Sequence, residues 1–202
     1  MTVTLGPIAP RDVRPLARLH RAAFPGFFLT GLGEPFLAQF YRGFLADPSA
    51  VAVVARDARG AVQGAVVGTV EPAGFFGRLV RRQWPGLVAA SARAVLRAPR
   101  SAARLLRAVR YRGGPAPAGA ALLSSLCVTP AAQGRGLGGQ LVDAWTSEVA
   151  RRGATAAYLT TDADGNDAVN AFYRAHGWAL VDTTTTHEGR PMNRYTLSLG
   201  AR

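Results

Sequence analysis

The stretch Leu122-Leu-Ser-Ser-Leu-Cys-Val-Thr-Pro-Ala-Ala-Gln-Gly-Arg-Gly-Leu-Gly-Gly-Gln-Leu141 decides how this 202-residue chain is read. An apolar run with strand character passes through a loop into a helix that opens on glycines. Gly134, Gly136 and Gly138 carry no Cβ, so the backbone can turn several N–H groups toward one point, where the positive end of the following helix adds its field. Such a junction suits a pyrophosphate.

Two spacings can be read from the loop. Gly134-x-Gly136-x-x-Gly139 fits the dinucleotide fingerprint, and Asp162 stands about where a ribose-binding acid would. In that fold, however, the first glycine follows directly from the strand, whereas Thr129, Pro130, Ala131, Ala132 and Gln133 separate Val128 from Gly134. Repeated strand-helix-strand units are also missing from the sequence pattern. The second spacing is Gln133-x-x-Gly136-x-Gly138 after the strand end Leu126-Cys-Val128. It is followed by Asn166-Asp-Ala-Val-Asn-Ala-Phe-Tyr173-Arg-Ala-His-Gly177-Trp178. In order and distance these two segments resemble the acyl-CoA-binding motif and the second signature of the GNAT (GCN5-related N-acetyltransferase) superfamily.

The resemblance implies an α/β fold, a mixed and mostly antiparallel central sheet flanked by helices, built as a single domain over residues 1–202. It implies acetyl-CoA, or another acyl-CoA, as cosubstrate and direct attack by a primary amine in a ternary complex. Backbone N–H groups of Gly134, Arg135, Gly136, Leu137 and Gly138, with Gly139 in the same loop, would hold the pyrophosphate, assisted by the Gln133 side chain and the Arg135 charge. Within Leu126, Cys127 and Val128, a main-chain donor near Val128 would meet the acyl oxygen as this strand splays from the next. Tyr173 would protonate the departing thiolate, and Asn166 would bond the pantetheine arm, while Asn170 reads as an ordinary exposed helix residue.

The general base is selected by no motif. Glu71, at the end of the strand before the insertion, is the carboxylate best placed to face the acceptor; His20, Ser124, Ser125 and His187 are the other candidates, and a water chain could serve instead. Nothing in the pattern asks for a metal. The segments 20–33 and 187–194 resemble acyltransferases of small-molecule or glycan pathways, which implies a small amine acceptor such as an amino sugar. A contrasting reading is a non-catalytic acyl-CoA-binding regulatory module, or an acyltransferase acting on a macromolecular or carrier-protein acceptor at a membrane surface.

Composition agrees with a globular enzyme. With 49% hydrophobic residues the chain can bury one full core. The start lacks a signal-like apolar core and no apolar run reaches membrane-spanning length, so a cytoplasmic location is expected. Cys127, the single cysteine, lies mid-strand and reads as a core thiol.

Charge is unevenly spread. The chain has 24 Arg, no Lys and 12 acids, and from Pro72 through Val142 there is no acid but eleven arginines. Most of these fall in a basic helical insertion, residues 72–120, between the third and fourth strands. Two helices are expected there, Trp84 to Arg97 and Pro99 to Tyr111, with Arg93, Arg97, Arg100, Arg104, Arg107 and Arg110 stepping by four and three. Arginines 78–112 could be a solvated face, or could draw an acidic or phosphorylated partner such as a nucleotide-linked sugar or an acyl carrier protein. Phe75, Phe76, Leu79, Val80 and Trp84 beside Arg78, Arg81 and Arg82 suggest a membrane surface. Nucleic acid is disfavoured for want of a binding module, and a homodimer is left open.

Elsewhere the pattern gives a strand at Val3 to Leu5, a helix from Arg11 to Ala23, and a helix from Glu34 to Leu45 whose Phe36, Leu37, Phe40, Tyr41 and Phe44 form a core-facing stripe. A hairpin follows, Val51 to Arg56 and Val62 to Glu71, turning at Asp57-Ala-Arg-Gly60. After the glycine loop come a helix to Arg152, a strand from Ala156 to Thr161, a helix from Asp167 to His176, and paired strands from Trp178 to Thr186 and Met192 to Leu199.

Overall fold

The computed structural model describes residues 3–25, 28–97, 118–186 and 189–200. Strand β1 (Val3–Pro7) leads through a 3₁₀ turn at Pro10–Asp12 into helix α1 (Val13–Ala23). Short α2 (Phe28–Gly31), α3 (Glu34–Ala46), strands β2 (Ala50–Asp57) and β3 (Val62–Thr69), and helix α4 (Phe75–Arg97) follow. Beyond these lie β4 (Ala120–Val128), a 3₁₀ turn (Pro130–Ala132), α5 (Leu137–Arg151), β5 (Ala156–Asp162), α6 (Asp167–Ala175), β6 (Ala179–Thr185) and β7 (Pro191–Ser198). The sheet runs β1-β2-β3-β4-β5-β7-β6, with β4 and β5 parallel and the other neighbours antiparallel. This is the mixed, mostly antiparallel sheet expected. A parallel pair needs a crossover, and α5 supplies it.

The β2–β3 turn forms as its sequence dictates. Asp57 Oδ1 accepts from the N–H groups of Arg59 and Ala61, each at 2.9 Å, and Gly60 takes φ +79°, a left-handed conformation open to glycine.

Alternation along the strands sends side chains to two cores. Val54, Ala65 and Val67 face α1, α3 and α4, where Leu16 and Leu37 are fully buried. Val51, Ala55, Val66, Ala121, Ala157 and Leu159 face α5, around Trp145 and Trp178. The Trp145 indole donates to Val51 O at 3.1 Å, so its polar edge is satisfied in the core. The aromatic stripe of α3 is buried throughout.

Helix α4 starts nine residues before the Trp84 expected from sequence and carries Pro85 inside it. Packing outweighs the breaker. Phe75 and Leu79 are buried against α3, and at Gly43 an added Cβ would stand 2.3 Å from Leu79 Cγ, so the two helices meet where one has no side chain. Arg78 Nε donates to buried Asp47 Oδ2 at 3.0 Å, and Arg78 Nη2 to Ser49 Oγ at 2.9 Å. Burial works against the Asp47 carboxylate, but hydrogen bonds from Arg78 and Ser49 hold its pKa below the ordinary value. Two residues of the expected membrane-facing group, Phe75 and Leu79, are therefore core. The expected helix from Pro99 to Tyr111, and the arginine face that depends on it, lie outside the described residues. No helix among the described residues is long and apolar enough to cross a membrane.

Candidate functional site

The sheet opens in its middle. Strands β4 and β5 pair through Ala120–Ala156, Ala121–Ala157 and Leu122–Tyr158, and there the ladder stops. On its other side β4 stays bonded to β3 as far as Val128, with a register shift that leaves Ser124 as an extra residue between Leu123 and Ser125. The bulge reverses the alternation, so that Leu126 and Val128 pack into the α5 core together with Ala121 and Leu123. Thr129 N–H donates to Gln63 O at 2.8 Å. The antiparallel pattern then turns the main-chain N–H groups of Leu126 and Val128 away from β3, into the gap that β5 has vacated. Cys127 points to the opposite face, where burial pushes its thiol up to about 11, which makes it a core residue and a poor nucleophile.

The glycine loop closes one end of the gap. Gly134 and Gly136 have φ +70° and +76°, and Gly136 caps α5. The first bond into the helix runs from Gln140 N–H to Gly136 O at 3.1 Å, leaving the N–H groups of residues 137–139 pointing out of the helix start. Gly139 is needed for a different reason, since a Cβ there would lie 2.5 Å from His176 Nε2. His176 is itself anchored, its Nδ1–H donating to Phe172 O at 2.8 Å, so α5 and α6 meet at a glycine. Sequence reasoning did not single out His176, although it follows Tyr173 by three residues in the second signature.

A cavity of about 1260 Å³ occupies the gap and runs from the loop to the α1, α3 and α4 side of the sheet. Of the residues expected from sequence, Leu126, Cys127, Val128, Gln133, Gly134, Gly136, Leu137, Gly138, Gly139, Asn166 and Tyr173 line it, whereas Arg135 does not. Tyr173 is buried, its ring packed on Trp178 and Tyr195, and burial raises its pKa well above the ordinary phenol value. Asn166 spends both amide hydrogens on β5, donating to Thr161 Oγ1 at 2.8 Å and Asp162 O at 3.1 Å, which leaves its carbonyl for a ligand donor.

Asn170 is not the exposed helix residue expected. It is buried, donates to Asp162 O at 3.0 Å and Asn166 O at 2.9 Å, and accepts from Asn193 Nδ2 and Tyr195 Oη, each at 3.0 Å. These bonds tie α6 to β5 and β7, and so hold Tyr173 and Asn166 in place. Asp162 lines the cavity but is paired with Arg190, whose Nη2 lies 2.5 and 2.7 Å from its two oxygens. That pairing takes away the ribose-binding acid of the dinucleotide reading.

Glu71 stands apart from the other site residues. Its side chain is 68% exposed, its carboxylate is 3.6 Å from Arg78 Nη2, and it is not part of the cavity lining. Among the other base candidates, His20, Ser124 and Ser125 line the cavity, and His187 lies outside the described residues. His20 is buried with Nδ1 3.0 Å from Tyr41 Oη, and desolvation lowers its pKa to about 4, so the imidazole is neutral at pH 7.

The family model described as acetyltransferase (GNAT) family matches residues 14–178 of the chain. Solved structures of similar fold include SsHAT, 21% identical over the whole of both chains with a TM-score of 0.73. An aminoglycoside 6'-N-acetyltransferase complexed with coenzyme A is 16% identical over 98% of each chain, with a TM-score of 0.64. The ribosomal-protein-S18-alanine N-acetyltransferase from Escherichia coli is 13% identical over 100% of this chain and 96% of that one, with a TM-score of 0.60. At these identities the likeness is one of fold. No curated protein matches the chain by sequence.

Proposed function

The chain belongs to the acetyltransferase (GNAT) family, and from that membership we propose that it transfers an acyl group, acetyl in the first instance, from acyl-CoA to the primary amine of a small molecule. The observation that carries the proposal is the break in the β4–β5 ladder, with a glycine-capped helix start that presents N–H groups at one end and buried Tyr173 in its wall. The N–H groups of residues 137–139 hold the pyrophosphate, Asn166 accepts from the pantetheine, and the Leu126 and Val128 N–H groups face the thioester carbonyl.

The amine nitrogen attacks the carbonyl carbon, a C–N bond forms, and negative charge moves onto the oxygen between those main-chain donors. As the oxyanion collapses the C–S bond breaks and the sulfur leaves with the electron pair. Tyr173 donates a hydrogen bond to that sulfur, and the proton lost by the amine ends on the thiol. Because burial keeps the phenol from ionising, Tyr173 acts as a donor and never as the base. Glu71 would need to travel from the surface to reach the amine, so the proton leaves the nitrogen through water.

The test is thiol release from acetyl-CoA against amines that include amino sugars, the acceptor class suggested by sequence, together with polyamines and peptide N-termini, with thermal stabilisation by coenzyme A followed in parallel. Acceptor-dependent release supports the proposal. Stabilisation without release from any acceptor supports the binding-module reading, and no response to coenzyme A refutes both.

A further inference from the structure

The cavity has two halves of different character. On the α5 and α6 side the glycine loop and polar side chains such as Gln133, Thr161 and Asn166 alternate with apolar ones such as Leu137, Phe172 and Met192. Across the sheet every described lining residue from the α1 to α4 segment, His20 excepted, is apolar, with Phe24, Phe36, Phe40, Phe76, Trp84 and Leu87 forming most of the wall. Phe36 and Phe40 are deep, each 7% exposed, whereas Trp84 and Val88 are 58% and 57% exposed and mark where this arm meets solvent. The arm lies on the α1, α3 and α4 side of the sheet and joins the other half at Leu123 to Cys127.

We propose that this apolar arm is the acceptor subsite, and that it selects a primary amine carried on an alkyl or aryl body. The proposal rests on the acyl-transfer reading above and names its substrate class. Asp162 is the one carboxylate among the described lining residues, and it is committed to Arg190. Among the described lining residues a polycation would meet no other acid. A sugar would leave hydroxyls unpaired against aromatic walls, each at a cost of roughly tenfold or more in affinity.

The same walls do chemical work that no carboxylate among the described lining residues does. An amine attacks only when unprotonated, and desolvation disfavours its ammonium form. Among the described residues His20 and Cys127 are the titratable groups of the arm, with Tyr41 bonded to His20, and burial disfavours the charged form of all three. An aliphatic amine that buries its body in this arm enters the same environment, and is delivered to the gap neutral.

The test is an acceptor series of n-alkylamines from butyl to octyl, phenethylamine, glucosamine and spermidine, with acetyl-CoA as donor and thiol release as readout. The kcat/KM is expected to rise roughly threefold to fourfold per added methylene. Glucosamine and spermidine should fall at least about a hundredfold below octylamine. A flat alkyl series, or a sugar or polyamine that matches octylamine, overturns the proposal. Binding is read separately from the emission of Trp84, since Trp145 and Trp178 are 0% and 2% exposed. Octylamine should shift that emission to the blue in the absence of any acyl-CoA, and no shift overturns the arm as an amine site. A saturable, chain-length-dependent shift without thiol release from any amine upholds the apolar subsite and refutes acyl transfer.

Discussion

Replacing Tyr173 by Phe isolates one hydroxyl. The ring of Tyr173 is held by Phe172, Trp178 and Tyr195, with centroids 5.2, 5.8 and 6.0 Å away, and Phe keeps all three contacts. Folding stability should therefore change by less than about 1 kcal/mol. What is lost is the donor to the departing sulfur. A single preorganised donor or acid contributes about 10²–10³ in rate, or about 3–4 kcal/mol of barrier, so kcat should fall by that factor while the affinity for coenzyme A stays within about twofold. Because burial raises the phenol pKa, the hydroxyl remains protonated across the working range, and the ratio of the two rates should be constant from about pH 6 to 9. Thiol release under saturating acetyl-CoA and amine, with coenzyme binding measured by calorimetry, reads both quantities. Unchanged kcat, or a loss confined to coenzyme affinity, would refute the role given to Tyr173.

Three further outcomes follow from the geometry. Gly136→Ala forces a side chain into φ +76° at the cap of α5, which costs about 1–2 kcal/mol and should raise the KM for acetyl-CoA about tenfold; an unchanged KM would show that the loop does not bind the coenzyme. Gly43→Ala places a Cβ 2.3 Å from Leu79 Cγ and should destabilise the fold by about 1–2 kcal/mol in denaturant unfolding, partly relieved when Leu79→Ala is added. His20, with its native pKa lowered to about 4, binds its proton more readily in the unfolded chain. Its contribution is thus complete above about pH 6.5 and is lost as pH falls toward about 4, a change of up to about 3 kcal/mol that His20→Gln should flatten.

What could be read from the sequence was local. The glycine loop and the Asn166 to Trp178 segment carry their meaning within a few residues of chain, and the structure brings both to one gap. The α3 stripe and the Asp57 to Gly60 turn were legible for the same reason, since helical periodicity and an Asx turn need no distant partner. Asn170 was not, because its burial depends on Asn193 and Tyr195, which reach it from β7. Glu71 depends on where β3 ends: the strand stops at Thr69, whose hydroxyl accepts from Glu71 N–H at 3.1 Å, and the chain then leads the carboxylate outward to Arg78. Pro85 reads locally as a breaker, but the contacts of Phe75, Arg78 and Leu79 with α3 and Asp47 carry the helix through it. The two-sided character of the cavity was also hidden, because α1, α3 and α4 supply its apolar wall from three separate stretches of sequence.

In the proposed function coenzyme A lies in the gap between β4 and β5 with its pyrophosphate on the start of α5. Amide hydrogen exchange with and without coenzyme A measures this directly. Exchange should slow at residues 134–139 and at Leu126 and Val128, with β1 and β2 unchanged. Binding that protects other segments and leaves these amides as they were would contradict it.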